Sequence, residues 1–378
     1  MHMYRHLMAE GGHEIVVASR KGSTLKLPVK QLVYDLPEPM KQGKTGLAER
    51  AVALGLSLAD QLKPLVARGW APDYILSHAS RGASYFLREL FPDARITSLF
   101  EWYYAPPPLK DADRKTFAAQ HRNSVMTNMP IVRDFETMDA GYVPTNFQRD
   151  QFPKSWHDRL MVLHDGIDTA RFAPDQDAML TVGDKRFTAT DEIVTYAARG
   201  MEHTRGFPQF MEAIAQLQKR RPGLQVLVAA ADRICYDPSG KGTGLKTWAM
   251  ENVDFDRERT HFLGLLPEAQ FIPFLQVSSL HIYLTRPFVL SWSMLNAMSV
   301  GVPLVASDTA PVREAVTHKE NGILVDMHDR DALVTATAQL LDDRAGAHAL
   351  GAAARQSVVE RYDLKPGLER LLKLVHGS

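Results

Sequence analysis

Residues 286–308, RPFVLSWSMLNAMSVGVPLVASD, indicate how the second half of the chain folds. Its middle part, SWSMLNAMSVG, is predicted to be a helix, and Gly301 at its end is a typical C-terminal helix signal. The apolar run VPLVASD that follows is predicted to be a buried strand. Because the strand-like segment SLHIYLT comes just before, the order is strand, helix, strand, which indicates a parallel sheet.

Asn296 is the polar residue in the middle of this otherwise apolar helix. An amide in such a place needs hydrogen-bond partners, since buried polar groups are almost always paired. Two explanations stay open at this point. The amide is satisfied by the protein backbone, or it binds a ligand.

The same alternation of strands and helices runs through the whole chain of 378 residues, which is long enough for two domains. We expect a first α/β domain at residues 1–172, a polar linker at 173–191 and a second α/β domain at 192–378. Both are predicted to be doubly wound and to face a central cleft. The first recognisable strand, Glu14–Ala18, follows a short helix, so it should be the second strand of its sheet, and the first strand is predicted to be missing.

Charge and composition exclude several classes of protein. Lys plus Arg equals Asp plus Glu at 44 each, so no net field attracts nucleic acid. No apolar run reaches the roughly 18 residues of a membrane span. Cys235 is the single cysteine, which excludes a Cys-rich zinc site and suits the cytoplasm. Neither the nucleotide-binding P-loop pattern nor the G-x-G-x-x-G pattern is present.

Two arginines are candidates for binding an anion. Arg199 follows the predicted strand EIVTYAA, and Arg205 lies six residues further on. Ligands of open parallel sheets bind at the carboxyl ends of the strands, where two guanidinium groups suit a diphosphate. Ser291 and Ser293 are candidate N-caps of the helix at 291–301, and a helix start also favours phosphate. The alternative for the arginines is a solvated surface position.

Three further titratable residues are predicted at strand ends in the first domain: His78, Glu101 and Asp165. His78 ends the strand PDYILSH and is expected to face the cleft. Glu101 and Asp165 are candidate carboxylates, with Glu101 on the acceptor side. Each of the three could equally be a hydrogen-bonded structural residue.

Five segments in the same order resemble the glycogen-synthase-like family 4 of glycosyltransferases, which have the GT-B fold. They are RHLMAEGGHEIVVAS, VLHDGIDTARFAP, RGMEHTRGF, the segment SMLNAM with GVPLVASD, and HKENGILVD. The resemblance implies two Rossmann-like domains and transfer of a sugar from a nucleotide diphosphate sugar, with retention of the anomeric configuration. It covers nearly the whole chain.

The resemblance also implies roles for individual residues. Arg199 and Arg205 would hold the diphosphate and act with His78, which would contact the donor sugar, as catalytic residues. Fixed cations at the departing phosphate remove the need for a metal or cofactor. The remaining positions are donor-binding or hinge residues: Ser291, Trp292, Ser293, Asn296 and Glu314 at the donor, and Asp165, Gly166 and Asp168 at the hinge.

The expected partners follow from that activity. They are a nucleotide-sugar donor and a glycan or lipid-linked acceptor of cell-surface, exopolysaccharide or lipopolysaccharide type. Such an acceptor suggests peripheral association with the inner face of the membrane. The loop at residues 103–123 is expected to contribute to acceptor choice.

Two departures from the family pattern leave other functions open. The family carries two glutamates separated by seven residues, and Phe288 and Asn296 stand at these positions. Loss of the second charge is expected to weaken nucleotide binding by about 1–3 kcal/mol. With the missing first strand, this also permits a non-catalytic member that binds a nucleotide or a partner. A third alternative is a sugar-nucleotide epimerase that uses His78, Glu101 and Asp165 as acids and bases.

Overall fold

The structure is a computed structural model that describes residues 2–23, 26–42, 46–105, 114–236 and 244–377. The chain forms two compact units. Unit 1 comprises Met1–Asp165 and Gly367–Ser378, and unit 2 comprises Gly166–Pro366. Both units combine helices with parallel sheets, which confirms the predicted α/β fold class. Among the described residues, no helix is both long and apolar enough to cross a membrane.

Unit 1 contains two separate parallel sheets. The smaller one pairs β1 (Val16–Arg20) with β2 (Lys30–Tyr34). The larger one has four strands in sequence order: β3 (Tyr74–His78), β4 (Arg95–Leu99), β5 (Ala140–Val143) and β6 (Leu160–Val162). The helices of this part are α1 (His2–Glu10), α2 (Glu38–Gln42), α3 (Leu47–Val66), α4 (Leu87–Leu90), α5 (Arg114–Thr137) and α6 (Asn146–Arg149), with a 3-10 helix at Lys154–Arg159.

Strand β1 begins at Val16 rather than at the predicted Glu14. Gly11 and Gly12 both have positive φ, +74° and +77°, so they end α1 as predicted and delay the start of the strand. Within the described residues β1 pairs with β2 and does not join the four-stranded sheet. That a first strand of the sheet is missing before β1 stays a prediction.

The loop after β3 replaces most of a helix that the segment RGASYFLRELFP, residues 81–92, predicts. Only the four residues of α4 are helical, because Ser80 and Gly82 have φ values of +86° and +77°, which a right-handed helix cannot contain. A Cβ at Gly82 would lie 2.3 Å from the carbonyl oxygen of Ala51. The loop therefore packs directly on the backbone of α3.

Unit 2 is built on a six-stranded parallel sheet preceded by an antiparallel hairpin. The hairpin is β7 (Met179–Val182) and β8 (Lys185–Thr188). The sheet strands are β9 (Ile193–Gly200), β10 (Gln225–Ala231), β11 (Thr260–Phe262), β12 (Leu280–Tyr283), β13 (Leu304–Ser307) and β14 (Ile323–Val325). They lie in the order β11-β10-β9-β12-β13-β14, so the strand order reverses between β9 and β12.

Helices cover both faces of this sheet. They are α7 (Phe207–Arg220), α8 (Lys246–Asn252), α9 (Glu268–Gln276), α10 (Trp292–Val300), α11 (Ala310–Arg313), α12 (Arg330–Asp342) and α13 (Arg344–Tyr362). The last helix, α14 (Leu364–His376), lies mostly in unit 1, which resumes at Gly367. Strand β9 places Ile193 and Ala197 in one apolar core and Val194 and Tyr196 in another. This alternation shows a sheet buried on both sides, as the doubly wound prediction requires.

The compact units divide at positions other than the predicted domain limits. The segment 173–191, predicted to be a linker, contains the β7–β8 hairpin and buries Leu180 and Phe187 in a core of unit 2. At the other end, Leu371 and Val375 of α14 pack with Tyr142 in unit 1. In both segments, apolar residues at alternating or helical spacing pack into a core. The hairpin therefore belongs to unit 2 and is not a linker, and most of α14 belongs to unit 1.

Candidate functional site

The point where the strand order of unit 2 reverses is where open parallel sheets bind ligands, at the carboxyl ends of the strands. Here these ends are those of β9 and β12. Arg199 is the penultimate residue of β9 and Arg205 follows the strand, whereas Ser291 and Ser293 follow β12. A hydrogen bond of 3.3 Å from Ser293 Oγ to the carbonyl oxygen of Ala197 joins the two loops. The structure thus brings these predicted residues together.

Arg205 is a buried cation with neutral partners. The residue is only 6% exposed. Its Nη1 donates to the hydroxyls of Tyr283 at 2.9 Å and Thr285 at 2.8 Å, and its Nη2 donates to the carbonyl oxygen of Val289 at 3.1 Å. In the described ranges, no carboxylate forms an ion pair with it. Because buried charges are normally paired, this guanidinium is suited to an external anion.

Local geometry explains how Arg205 reaches this place. A 3-10 helix, His203–Arg205, ends at Gly206, which has φ of +61°. A Cβ on Gly206 would lie 2.5 Å from Cβ of Leu284, so only glycine permits this close approach. The hydroxyl of Tyr196 on β9 donates to the carbonyl oxygen of Arg205 at 2.8 Å. The backbone that carries the guanidinium is therefore held from both sides.

Arg199 differs from Arg205 because its side chain is exposed. Its Nη1 donates to the hydroxyl of Tyr236 at 3.3 Å. Tyr236 is held in turn by Glu202, a fully buried carboxylate whose Oε2 accepts the backbone N–H groups of Cys235 at 3.0 Å and Tyr236 at 2.8 Å. Neither Glu202 nor Tyr236 was predicted from the sequence. The only signal for Glu202 was an acid placed between two candidate arginines.

The first turn of α10 has the predicted cap. Ser291 is the N-cap, and its Oγ accepts the N–H of Ser293 at 3.3 Å. Gly301 ends the helix with φ of +81°. Trp292 is 56% exposed at the first helical position. Ser293 lies within the first turn and is not a second N-cap, because the helix already begins at Trp292.

Asn296 lies one to two turns into α10 and is half-buried. Its side-chain amide makes no hydrogen bond to any part of the chain that the structure describes. The explanation of a structural amide satisfied by the backbone is therefore not supported. Glu314 follows α11, and its carbonyl oxygen accepts the Tyr362 hydroxyl at 3.3 Å and an N–H of Arg361, which fixes its backbone.

His78 and Glu101 meet at the carboxyl ends of two adjacent strands of unit 1. His78 Nε2 lies 3.5 Å from Glu101 Oε2, and His78 Nδ1 lies 2.7 Å from the carbonyl oxygen of Ala79. Burial by itself lowers the pKa of His78, but the hydrogen bond and charge of Glu101 and the Ala79 carbonyl outweigh it and raise that pKa above its usual value. Both ring nitrogens thus face acceptors, which favours the imidazolium form.

Asp134 on α5 is a functional candidate that the sequence analysis missed. It is 1% exposed, and it accepts the backbone N–H of Ser80 at 2.9 Å and a short hydrogen bond from the Ser84 hydroxyl. Burial raises the pKa of Asp134 to about 6. Ser80 has positive φ, a backbone conformation that residues other than glycine rarely adopt. The hydrogen bonds to Asp134 therefore hold the loop after His78 in a rare conformation.

The predicted hinge residues follow β6 in a segment without regular secondary structure. Burial raises the pKa of Asp165, the last residue of the first segment of unit 1. Gly166 has φ of +90°, and a Cβ there would lie 2.6 Å from Cα of Leu364, so glycine is required. Asp168 Oδ1 accepts the N–H of Arg171 at 3.1 Å. Within the loop predicted to choose the acceptor, residues 106–113 lie outside the described residues.

Comparison with known proteins identifies both halves of the chain. Residues 11–172 match the family model described as glycosyl transferase family 4 group. Residues 191–343 match the model described as glycosyl transferases group 1.

One curated relative and two solved structures illustrate the similarity. The relative is a GDP-mannose-dependent alpha-(1-6)-phosphatidylinositol monomannoside mannosyltransferase of Mycolicibacterium smegmatis, 24% identical over 300 residues, or 73% of this chain and 76% of the relative. Sucrose-phosphate synthase from Thermosynechococcus elongatus has a TM-score of 0.68 and 16% identity, covering 98% of this chain and 90% of that one. Anabaena HepE, solved with UDP-glucose, has a TM-score of 0.66 and 12% identity, covering 93% and 86%.

The two structural neighbours, at such low identity, show the fold, and the family models show the family. Transferase activity is common to the families matched and to the mannosyltransferase relative. The chain therefore belongs to the glycosyltransferases of family 4, has the GT-B fold with two Rossmann-like domains, and is a transferase enzyme.

Proposed function

We propose that this glycosyltransferase moves a sugar from a nucleoside diphosphate sugar to a glycan or lipid-linked acceptor, with retention at the anomeric carbon. The observation that carries the proposal is the buried guanidinium of Arg205, which lacks a carboxylate partner in the described ranges and lies where the strand order reverses. The names of the relatives support a donor of this class, since one uses GDP-mannose and another was solved with UDP-glucose.

The reaction places negative charge where the cations of unit 2 lie. The bond between the anomeric carbon and the β-phosphate oxygen breaks, and the acceptor oxygen bonds to that carbon and loses its proton. The departing diphosphate gains charge, which Arg205, Arg199 and the N–H groups at the start of α10 stabilise. Because these groups supply the positive charge, we propose that no metal is required.

Asn296 is assigned to the nucleoside. Its amide makes no hydrogen bond to the described part of the chain, and it lies about one and a half turns after Ser291 on α10. It offers one acceptor and two N–H donors, which suit the ribose hydroxyls. Trp292 and Glu314 are assigned to the same donor. His78 keeps the role that the resemblance implies, contact with the donor sugar.

The acceptor is proposed to be a growing cell-surface, exopolysaccharide or lipopolysaccharide glycan. The mannosyltransferase relative is named for a phosphatidylinositol mannoside, which is a lipid-linked sugar. An acceptor of that kind would bring the enzyme to the cytoplasmic face of a membrane as a peripheral protein. Sedimentation with anionic lipid vesicles tests this, and recovery of all the protein in the supernatant would contradict it.

A donor panel tests the proposed activity. The protein is incubated with UDP-, GDP- and ADP-sugars, with and without EDTA, and nucleoside diphosphate release and thermal shift are measured. We expect one donor class to be turned over in both conditions, and Arg205→Met to lose the effect. The absence of release and of any shift by all three nucleotides would contradict the proposal. Proton NMR of the product establishes whether the configuration is retained, and isomerised donor without transfer would indicate an epimerase.

A further inference from the structure

Two aromatic rings contact the guanidinium of Arg205. Its Cζ lies 5.4 Å from the ring centroid of Tyr236 and 5.6 Å from that of Phe288. The two ring centroids are 5.2 Å apart with an interplanar angle of 55°, so the rings also pack on each other. Distances below about 6 Å are those of cation–π contacts, which strengthen when water is excluded. We call Tyr236 and Phe288 the aromatic pair.

Within the aromatic pair, Tyr236 is held in place by residues other than Arg205. Buried Glu202 accepts the backbone N–H of Tyr236 at 2.8 Å, and Arg199 donates to the hydroxyl of the same tyrosine at 3.3 Å. Phe288 lies in the loop after β12, whose carbonyl at Val289 accepts from Arg205 at 3.1 Å. Tyr236 therefore contacts both candidate arginines, one through its hydroxyl and the other through its ring.

Phe288 stands where the family pattern has a glutamate, which bears on how Arg205 binds a ligand. A carboxylate at 288, as in the family pattern, would stand within reach of Arg205 and could pair with it. With phenylalanine there, the hydrogen bonds of Arg205 within the described chain all go to neutral acceptors. The positive charge is thus left for an external anion, on a residue that is only 6% exposed.

We propose that the aromatic pair covers Arg205 and keeps its guanidinium dry and oriented, so that Phe288 is a positioning residue for the donor diphosphate. This inference rests on the proposed function. Phenylalanine in place of the family glutamate at 288 would change how the diphosphate is bound. An acid restored at this position should compete with the diphosphate for Arg205.

Three substitutions of Phe288 test the proposal. Phe288→Glu introduces the competing charge, Phe288→Leu keeps an apolar side chain without a ring, and Phe288→Tyr keeps the ring. Isothermal titration with UDP, GDP and ADP identifies the nucleoside diphosphate that the unmodified protein binds, and its Kd is then measured for each variant at low and high salt. The melting temperature of each unliganded variant verifies folding.

We expect Phe288→Leu to weaken binding about 3- to 30-fold, the range of a cation–π contact. Phe288→Glu should weaken it further, whereas Phe288→Tyr should restore binding to within about 3-fold. Binding by the leucine variant should also become more sensitive to salt, because water and ions reach the guanidinium.

Equal or tighter binding by Phe288→Glu would overturn the proposal, and so would unchanged binding and salt dependence in Phe288→Leu. The control is Arg205→Met. If Arg205→Met loses binding while the Phe288 variants keep it, the aromatic cover is wrong and the proposed function stands. If the unmodified protein binds none of the three nucleoside diphosphates, the proposed function fails, and the inference fails with it.

Discussion

Arg205 and Tyr283 share a hydrogen bond of 2.9 Å that connects the candidate anion site to the start of α10. The Tyr283 hydroxyl also accepts the backbone N–H of Ser291 at 3.1 Å. One hydroxyl on β12 therefore sets the position of the guanidinium relative to the capped first turn of the helix. Both groups are sources of positive charge for a phosphate.

Tyr283→Phe should separate these two groups. The substitution leaves one N–H of Arg205 and the N–H of Ser291 without this acceptor, so the free energy of unfolding should fall by about 1–3 kcal/mol. Affinity for nucleoside diphosphate should fall as well, because the guanidinium is less well oriented. Urea denaturation and isothermal titration measure the two effects. An unchanged affinity would show that the Tyr283 hydroxyl does not organise the site.

Asn296→Ala should affect binding more than stability. The amide has no hydrogen-bond partner in the described part of the chain, so the free energy of unfolding should change by no more than about 0.5 kcal/mol. If Asn296 binds the ribose, the unmodified protein should prefer a ribonucleoside diphosphate over its 2′-deoxy or 3′-deoxy analogue, and the alanine variant should lose that preference. Asn296→Glu should tighten binding of the ribonucleotide. An alanine variant that keeps its discrimination would exclude Asn296 from the nucleoside site.

Asp134 should make the free energy of unfolding fall as pH rises, which is the opposite of the usual effect of a carboxylate. The pKa of Asp134 in the folded protein, about 6, lies above its ordinary value of 3.8. A raised folded pKa contributes stability that is fully present below the unfolded pKa and is lost as pH rises through about 6. Relative to the unmodified protein, Asp134→Asn should therefore gain stability between pH 4 and pH 7. Denaturant titrations across this range measure the difference, and a constant difference would contradict the raised pKa.

Asp134→Ala is the matched comparison. Alanine removes the acceptor for the Ser80 N–H and the partner of the Ser84 hydroxyl, and its free energy of unfolding should lie about 1–3 kcal/mol below that of Asp134→Asn at all pH values. Asparagine keeps both contacts, with its oxygen accepting from Ser80. A loss as large for asparagine as for alanine would mean that the charge, and not the hydrogen bonds, holds the loop.

The imidazolium of His78 should titrate above the usual range for histidine. Its folded pKa is raised, so the contribution of the His78–Glu101 pair is fully present below the unfolded pKa and is lost as pH rises through the raised value. NMR titration of the His78 ring protons measures this directly. Glu101→Gln should lower the pKa of His78. A pKa that does not respond to this substitution would show that the pair does not form in solution.

The elements that position the site follow from short-range patterns in the sequence. Strand β9, helix α10 with its Ser291 cap, and Gly301 were all predicted from apolar spacing and end signals, because those signals lie within a few residues of the element that they define. The strand order, by contrast, arises from long-range pairing. Only the structure places β9 beside β12 and so joins the loops of Arg205 and Ser291.

The contacts that the sequence analysis missed are between residues far apart in the chain. Ser80, which has positive φ, donates its backbone N–H to Asp134, 54 residues away, next to the segment 81–92 where only part of the predicted helix forms. The aromatic pair combines a residue after β10 with one after β12. The β7–β8 hairpin was predicted to be a linker because its polar residues outnumber the buried Leu180 and Phe187. Such pairings carry no local sequence signal.

The affinity of Arg205→Met for nucleoside diphosphates tests whether the guanidinium of Arg205 binds the donor diphosphate. Methionine keeps the length of the side chain and removes a buried charge that has no ion-pair partner in the described ranges, so folding should be retained or improved. Isothermal titration should show binding of one nucleoside diphosphate by the unmodified protein and a loss of about 10- to 100-fold in the variant. A folded Arg205→Met variant that binds as tightly as the unmodified protein would contradict the assignment of this site to the donor diphosphate.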